Sequence, residues 1–499
     1  MPVRPNQVMW DQLIQLSPDS KITLQHQLRE ALVSAILNGQ VPLDRSLPSS
    51  RELAKRLGIA RNTVVLTYQN LVDDGYLITR ERSGHFVNAE ILEGRVEPDH
   101  KKESKQSLTS PDWSLRYKHL PSQQQNISKP SDWRNYQYPF IYGQPDQKLF
   151  PINDWRECCR SSMNVSDICS SGVDRFDLDD PILIEQVQSR LLPRRGVWAK
   201  PEEILITLGA QHALYLIANL LMDSSTTVGM ENPGYPDARN IFSIMHSNIS
   251  LLNVDGEGLV PDKNIDLCDY IYVTPSHQSP TTVTMPKQRR EQLLARAEKS
   301  NFVFIEDDYE SEANFMGEPT PALKSLDQNG RVIYVGSLSK TLAPGLRLGY
   351  MVASADLIEE VRALRRLMIR HTPANNQRTI ALFLARGHHD TLIHKQNQIY
   401  KDRWQIIGDA LAKYMPDSHQ PPTFGGTAFW VEGPAELDSI ELQKTARQNS
   451  ILIETGDVYF SQENGPKNYF RLGFSSISAD KIEPGIQLLS ELIQKQLKH

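Results

Sequence analysis

The stretch YVGSLSKTLAPGLRLGY, from Tyr334 to Tyr350, sets a single lysine, Lys340, among small residues between two apolar flanks. A lysine so placed is either a surface charge or an amine kept for chemistry. Ser337, Ser339 and Arg347 surround it with anion donors. A phosphate-cradling G-x-x-x-x-G-K-[ST] loop is excluded, because Tyr334 and Ser339 stand where its two glycines belong. Three other segments carry matching residue types. FVFIEDDYESE ends an apolar run in acids and supplies Asp307 and Tyr309. LITLGAQHAL reads as a strand, a glycine turn and a helix start, so Gly209, Ala210 and Gln211 offer open backbone N–H groups to a phosphate. ENPGYPDAR places Tyr235 after a Pro-Gly turn. An amine for a Schiff base, a carboxylate for a ring nitrogen, phosphate donors and a flat side chain are what pyridoxal 5'-phosphate requires. In this reading Lys340 is the Schiff-base amine, Asp307 keeps the pyridine nitrogen protonated, Tyr309 meets the ring hydroxyl and Tyr235 stacks. Each piece alone has an ordinary explanation: a solvated loop, a turn, a helix start, a surface lysine. Their order at the ends of successive strands is what joins them.

Positioning such a set calls for an α/β scaffold with ligands at the carboxyl ends of its strands. EILITLG, DYIYVTP, FVFIEDD, RVIYVGS and LGYMVAS read as its strands, with helical stretches between them. The pattern predicts a largely parallel sheet over residues 135–499. Residues 89–134, with EPDHKKESKQSLTSP and PSQQQNISKPSD, are polar and read as a flexible linker. Residues 1–88 read as a separate, mostly helical module. A chain of 499 residues, 39% hydrophobic and 23% charged, has the length for several units and the composition of a globular protein. Its net charge of −6 excludes a wholly basic nucleic-acid coat, so any DNA contact must be local. Four cysteines without metal-type spacing fit a reduced, cytoplasmic protein, and no metal site is expected. MPVRPNQVMWDQL lacks the pattern of a signal peptide. ILITLGAQHALYLIANLLM is interrupted by Gln211, His212 and Asn219, which suits a buried strand-turn-helix better than a membrane span.

The N-terminal module predicts a helix over Thr23 to Leu37 and a second in LPSSRELAKRLG, started by an S-x-x-E capping box of Ser49 and Glu52. A third helix follows in IARNTVVLTYQNLVDDGY, then a hairpin in YLITRERSGHFV. This is the order of a winged helix-turn-helix. Arg51, Lys55, Arg56 and Arg61 cluster where phosphates would lie, and Arg61, Asn62 and Thr63 open the helix that would reach base edges. A solvated charged face on a helical dimerisation module is the alternative. The segment LPSSRELAKRLGIARNTVVLTYQNLVDDGYLITRERSGHFV resembles the DNA-binding domain of GntR-type regulators. That resemblance implies operator contact by Ser49, Arg51, Arg61, Asn62, Thr63, Arg82 and Gly84. Ala60 departs from the family's usual serine, with a loss of about 1 kcal/mol of helix stability expected.

From Tyr136 to Ile493 the chain resembles a fold type I aminotransferase, and the fusion of the two modules resembles MocR-type regulators. The resemblance implies an internal aldimine at Lys340, pyridine pairing by Asp307, ring contacts from Tyr309 and Tyr235, and phosphate contacts from Ser337, Arg347 and Gly209 to Gln211. It places His277 near the ring and gives Arg471 the carboxylate of an amino compound. Ser279, Thr282 and Thr455 depart from the subgroup's usual aromatic, glycine and proline. The function implied is a regulator that senses an amino-compound effector by aldimine exchange at Lys340. A working aminotransferase with a DNA-binding head and a sensor of pyridoxal phosphate itself are the alternatives. The resemblance also implies a homodimer on operator DNA and suggests a domain-swapped one, with no membrane partner.

Overall fold

The computed structural model describes residues 10–17, 20–92, 111–315, 320–338, 340–418, 425–461 and 465–498. The chain divides into two compact units, Met1–Leu115 and Arg116–His499.

In the smaller unit α1 (Leu24–Leu37) starts at Thr23, whose hydroxyl accepts from the His26 N–H at 3.4 Å. Helix α2 (Ser50–Leu57) starts at Ser49, whose Oγ accepts from the Glu52 N–H at 3.2 Å. The reciprocal half of that expected capping box is replaced by a forward pair, Glu52 with Arg56 at 2.5 Å. Gly58 ends α2 in the left-handed conformation, φ 66°, which glycine adopts without strain. Helix α3 (Arg61–Asp73) then leads into the antiparallel pair β1 (Leu77–Arg80) and β2 (Gly84–Val87). Leu28, Leu32, Leu53, Val64, Leu71 and Leu77 close the core between these elements. The i, i+3/i+4 spacing of the apolar residues puts them on one face of each helix.

Of the expected linker, Ala89–Leu92 forms one 3-10 turn and residues 93–110 lie outside the described residues. Residues 111–134 carry further short turns, and part of this stretch belongs with the larger unit: Asn240 Nδ2 donates to the Gln125 carbonyl at 2.8 Å.

The larger unit is built on strands β3 (Ile204–Thr207), β4 (Thr227–Asn232), β5 (Asn248–Asp255), β6 (Gly258–Leu259), β7 (Tyr270–Val273), β8 (Val303–Asp308), β9 (Val332–Ser337) and β10 (Gly349–Val352). Their order in the sheet is β3-β10-β9-β8-β7-β4-β5-β6. Strands β5, β4, β7, β8 and β9 run parallel, and β10 is antiparallel to both its neighbours. The inner strands β7, β8 and β9 are buried on both faces, as the near-continuous apolar runs require. Helices α4 (Ala210–Leu221), α5 (Pro236–Ile244) and α6 (Lys287–Ser300) connect successive strands. A second, three-stranded antiparallel sheet joins β11 (Ala428–Glu432), β12 (Glu454–Thr455) and β13 (Tyr469–Gly473) in the order β11-β13-β12. Phe429, Val431, Phe470 and Leu472 from this sheet pack with Ile482, Ile486 and Leu489 of the final helix, Ala479–Leu497. Among the described residues no helix is long and apolar enough to cross a membrane, and no acidic, histidine and cysteine cluster could hold a metal.

Candidate functional site

At the carboxyl end of β8 the pleat sorts three consecutive acids. Glu306 accepts the Leu323 and Lys324 N–H groups at 2.7 and 2.8 Å, and Asp308 accepts from Arg195 and Tyr334, both at 2.7 Å. Asp307 between them points to the opposite face, where its Oδ2 accepts from the Tyr272 hydroxyl at 2.9 Å. Its Oδ1 is buried without a hydrogen-bond partner, and burial pushes the carboxyl up to about 7. An acceptor left bare in this way has room for one more N–H or O–H donor.

The turn from β3 to α4 builds an anion corner. Gly209 caps α4 without a side chain and holds φ 82°. A Cβ there would meet Arg347 Nη2 at 3.3 Å, so the glycine lets the guanidinium close on the turn. Arg347, itself left-handed at φ 48°, donates through Nη2 to the Leu208 carbonyl at 3.1 Å. The first N–H groups of α4 have no intrahelical acceptor, as at any helix start, and add positive potential here. His212 accepts the Leu208 N–H at 3.1 Å, and burial lowers its pKa to about 4, so it remains neutral. Gln211 Nε2 and the Tyr235 hydroxyl both donate to Asp237 Oδ2, at 2.5 and 3.0 Å.

Lys340 follows β9. Burial, then the nearby charge of Lys129, lowers its pKa to about 8. Its Nζ lies 4.1 Å from the centre of the Tyr142 ring and 5.8 Å from that of Tyr309. A Cβ on Gly143 would approach Nζ to 2.8 Å, and Gly143 holds φ 72°. The left-handed backbone favours glycine there, and a Cβ would displace the flexible tip of the lysine. On β13, Arg471 is 1% exposed and stacks on the Tyr142 ring, Cζ 3.4 Å from its centre. Its Nη1 donates to the Tyr459 hydroxyl at 3.3 Å, whereas Nε and Nη2 have no partner.

One cavity of about 300 Å³ joins these groups, at the lower end of the range for cofactor sites. Ala210, Gln211, Tyr235, Asp307, Tyr309, Ser337, Lys340, Arg347 and Arg471, all expected from sequence, line it. Gly209 stands behind Arg347, and Ser339 lies outside the described residues. His277 is not in the wall: it is buried beside Gly426, and its carbonyl accepts from the Tyr309 hydroxyl at 2.8 Å. The Tyr309 hydroxyl, expected at a ring hydroxyl, is therefore engaged by backbone in this structure. Sequence reading missed Lys129, Tyr142, Gly143 and Asp237, which also line the cavity. Pro-Gly-Tyr-Pro-Asp in ENPGYPDAR was a signal for Asp237; the other three sit in text without a motif. Thr282, where the resembling subgroup has glycine, holds φ 62°, so the backbone keeps the left-handed conformation with a β-branched residue in it.

In the smaller unit Arg51, Arg61 and Asn62 are exposed, Thr63 is half-buried, and Arg61 Nε donates to Ser50 Oγ at 3.4 Å. Ala60 caps α3 without a side-chain hydrogen bond. The wing turn holds Arg82 and Gly84 at φ 61° and 99°, both exposed.

Residues 24–87 match the family described as bacterial regulatory proteins, gntR family. Residues 174–489 match aminotransferase class I and II. The HTH-type transcriptional regulator TauR of Rhodobacter capsulatus is 39% identical over 480 residues, 96% of this chain and 98% of that one. The probable rhizopine catabolism regulatory protein MocR of Rhizobium meliloti is 30% identical, over 81% of this chain and 80% of its own. Among solved structures, the α-aminoadipate aminotransferase LysN of Thermus thermophilus, complexed with N-(5'-phosphopyridoxyl)-L-leucine, has a TM-score of 0.69 at 25% identity. The match covers 78% of this chain and 100% of that one.

Proposed function

Because the chain belongs to the family of HTH-type transcriptional regulators that join a GntR head to an aminotransferase class I and II domain, we propose that its larger unit holds pyridoxal 5'-phosphate and senses an amino compound there, while its head reads operator DNA. The observation that carries the reading is the cavity in which a half-buried amine, an unpartnered carboxylate oxygen and an anion corner meet. When bound, pyridoxal phosphate supplies an aldehyde that condenses reversibly with primary amines.

Each residue has a task that its environment supports. Lys340, with its pKa lowered to about 8, is the amine that holds the aldehyde. Asp307 offers its bare Oδ1 to a ring N–H, and a cation there would return the carboxyl to its ionised form. The Gly209 to Gln211 turn, Ser337 and Arg347 hold the phosphate, and Tyr235 and Tyr309 border the ring. Arg471 keeps two nitrogens, Nε and Nη2, for an anionic end of the effector. Arg51, Arg61, Asn62, Thr63 and the wing residues Arg82 and Gly84 are offered to DNA, with Ser49 at the start of α2. A homodimer presenting two heads would read two half-sites.

The test is the visible absorbance of the cofactor-loaded protein. A band that forms with the chain, is absent in Lys340→Ala, and shifts on adding an amine without sustained exchange between an amino donor and a keto acid supports sensing. Sustained exchange would make the protein an aminotransferase. A band indifferent to every amine, with DNA binding set by pyridoxal phosphate alone, would make the cofactor itself the signal.

A further inference from the structure

Helix α3 is fixed to the head by one face. Val64, Thr67, Tyr68 and Leu71 are buried on it, and the Tyr68 hydroxyl donates to the Pro48 carbonyl at 3.0 Å, just before α2. The other face is exposed, and two of its side chains are apolar: Val65 is 42% and Leu66 52% exposed. A single apolar side chain at a surface calls for no explanation. Here two stand side by side, in an exposed stripe of Asn62, Val65, Leu66 and Gln69. Helix propensity does not account for the valine, because a β-branched residue is a poorer helix former than the straight-chain polar residues usual on a solvated face.

The charges around the pair point to what covers it. Arg61 lies against the start of α2, its Nε donating to Ser50 Oγ at 3.4 Å, and Arg51 follows on α2; both arginines are exposed. The far end of α3 is acidic: Asp73 accepts from Gln69 at 3.3 Å, and Asp74 pairs with Arg29 at 2.6 Å. The apolar pair therefore lies in the half of α3 that favours a polyanion. Double-stranded DNA is a polyanion that also presents apolar groups: its major groove admits an α-helix and carries the C5-methyl group of each thymine. From Asn62 to Leu66 the helix rises about 6 Å, which spans about two base-pair steps.

We propose that Val65 and Leu66 are base-reading residues that take thymine methyl groups in the major groove, so that the head selects half-sites with thymine at the positions they face. The assignment rests on the reading of the head as a binder of operator DNA. It adds apolar readout to the polar contacts available from Arg61, Asn62 and Thr63. A methyl contact distinguishes thymine from cytosine, which no phosphate contact does.

The full-length protein is given a random duplex pool, and in the enriched duplex each thymine is replaced in turn by deoxyuridine, which removes the C5-methyl group alone. In the wild type the replacement weakens binding about 4-fold at one or two positions, the loss for one methyl group returned to water. Val65→Ala and Leu66→Ala bind the thymine duplex about 4-fold more weakly, and each no longer distinguishes thymine from uracil at one of those positions. Alanine is the best helix former, so both variants keep α3. Both residues are uncharged, so the slope of affinity against salt stays that of the wild type, whereas Arg51→Ala makes it shallower. Uracil replacement that costs nothing at every thymine, or costs the same in the wild type and both variants, overturns the assignment while leaving DNA binding intact. A face covered by protein overturns it too, and shows as uracil replacement without effect together with a changed sedimentation coefficient in Leu66→Ala. If no duplex is enriched, the operator reading falls and this assignment with it.

Discussion

Lys340 has to be unprotonated to attack an aldehyde, and its surroundings set when that occurs. Its pKa falls from 10.5 to about 8, first through burial and then through the charge of Lys129. Desolvation and a like charge both disfavour the ammonium, so the free-amine fraction of the cofactor-free protein rises through pH 8 instead of through 10.5. The rate at which this form captures pyridoxal phosphate is expected to climb about 10-fold per pH unit below that point and to level off above it. Stopped-flow absorbance across pH 6 to 10, about two units either side, measures it. Removing the like charge with Lys129→Gln shifts the inflection to higher pH. An inflection that stays near 10.5 would place Lys340 in water instead of in the cavity.

At the scale of elements, the sheet does the positioning. Strand β8 presents Asp307 to one face and its acidic neighbours to the other, β9 ends at Ser337 just before Lys340, and β3 turns through Gly209 into α4. Five of the eight strands of this sheet were legible as β-rich runs, because strands buried on both faces are continuously apolar. TVGMEN and NISLLNVD were not, since glycine and scattered polar residues break the run although the sheet still orders them as β4 and β5. The cavity was legible where chemistry demands a residue type, as at Lys340, Asp307 and Arg347. Tyr142 and Lys129 were not, because contacts made through the tertiary fold leave no local spacing to read. In the head, the uncapped start of α3 makes a separate prediction. Ala60 already has extended backbone, φ −65° and ψ 138°, suited to an N-cap. Ala60→Ser is expected to stabilise the head by about 0.5–1 kcal/mol. Calorimetry of the full chain would register this as an upward shift of the head's unfolding transition by several degrees, with no change in cofactor absorbance.

For the whole molecule, the chain joins two chemistries that do not need each other: a head with exposed cationic residues around α2 and α3, and a cavity suited to an amine-reactive cofactor. A sensor needs occupancy of the cavity to change DNA binding, and a ligand can do that only by differing in affinity for two states. Arg61→Ala is expected to weaken DNA binding about tenfold or more and leave cofactor absorbance untouched. The measurement that tests the account most directly joins both readouts. Cofactor-loaded protein is bound to a duplex it selects from a random pool, then titrated with an amine while DNA affinity and cofactor absorbance are followed together. The account predicts that the two change in step in the wild type and that Lys340→Ala loses both responses. DNA affinity that stays constant while the absorbance shifts, or that shifts equally in Lys340→Ala, would contradict it.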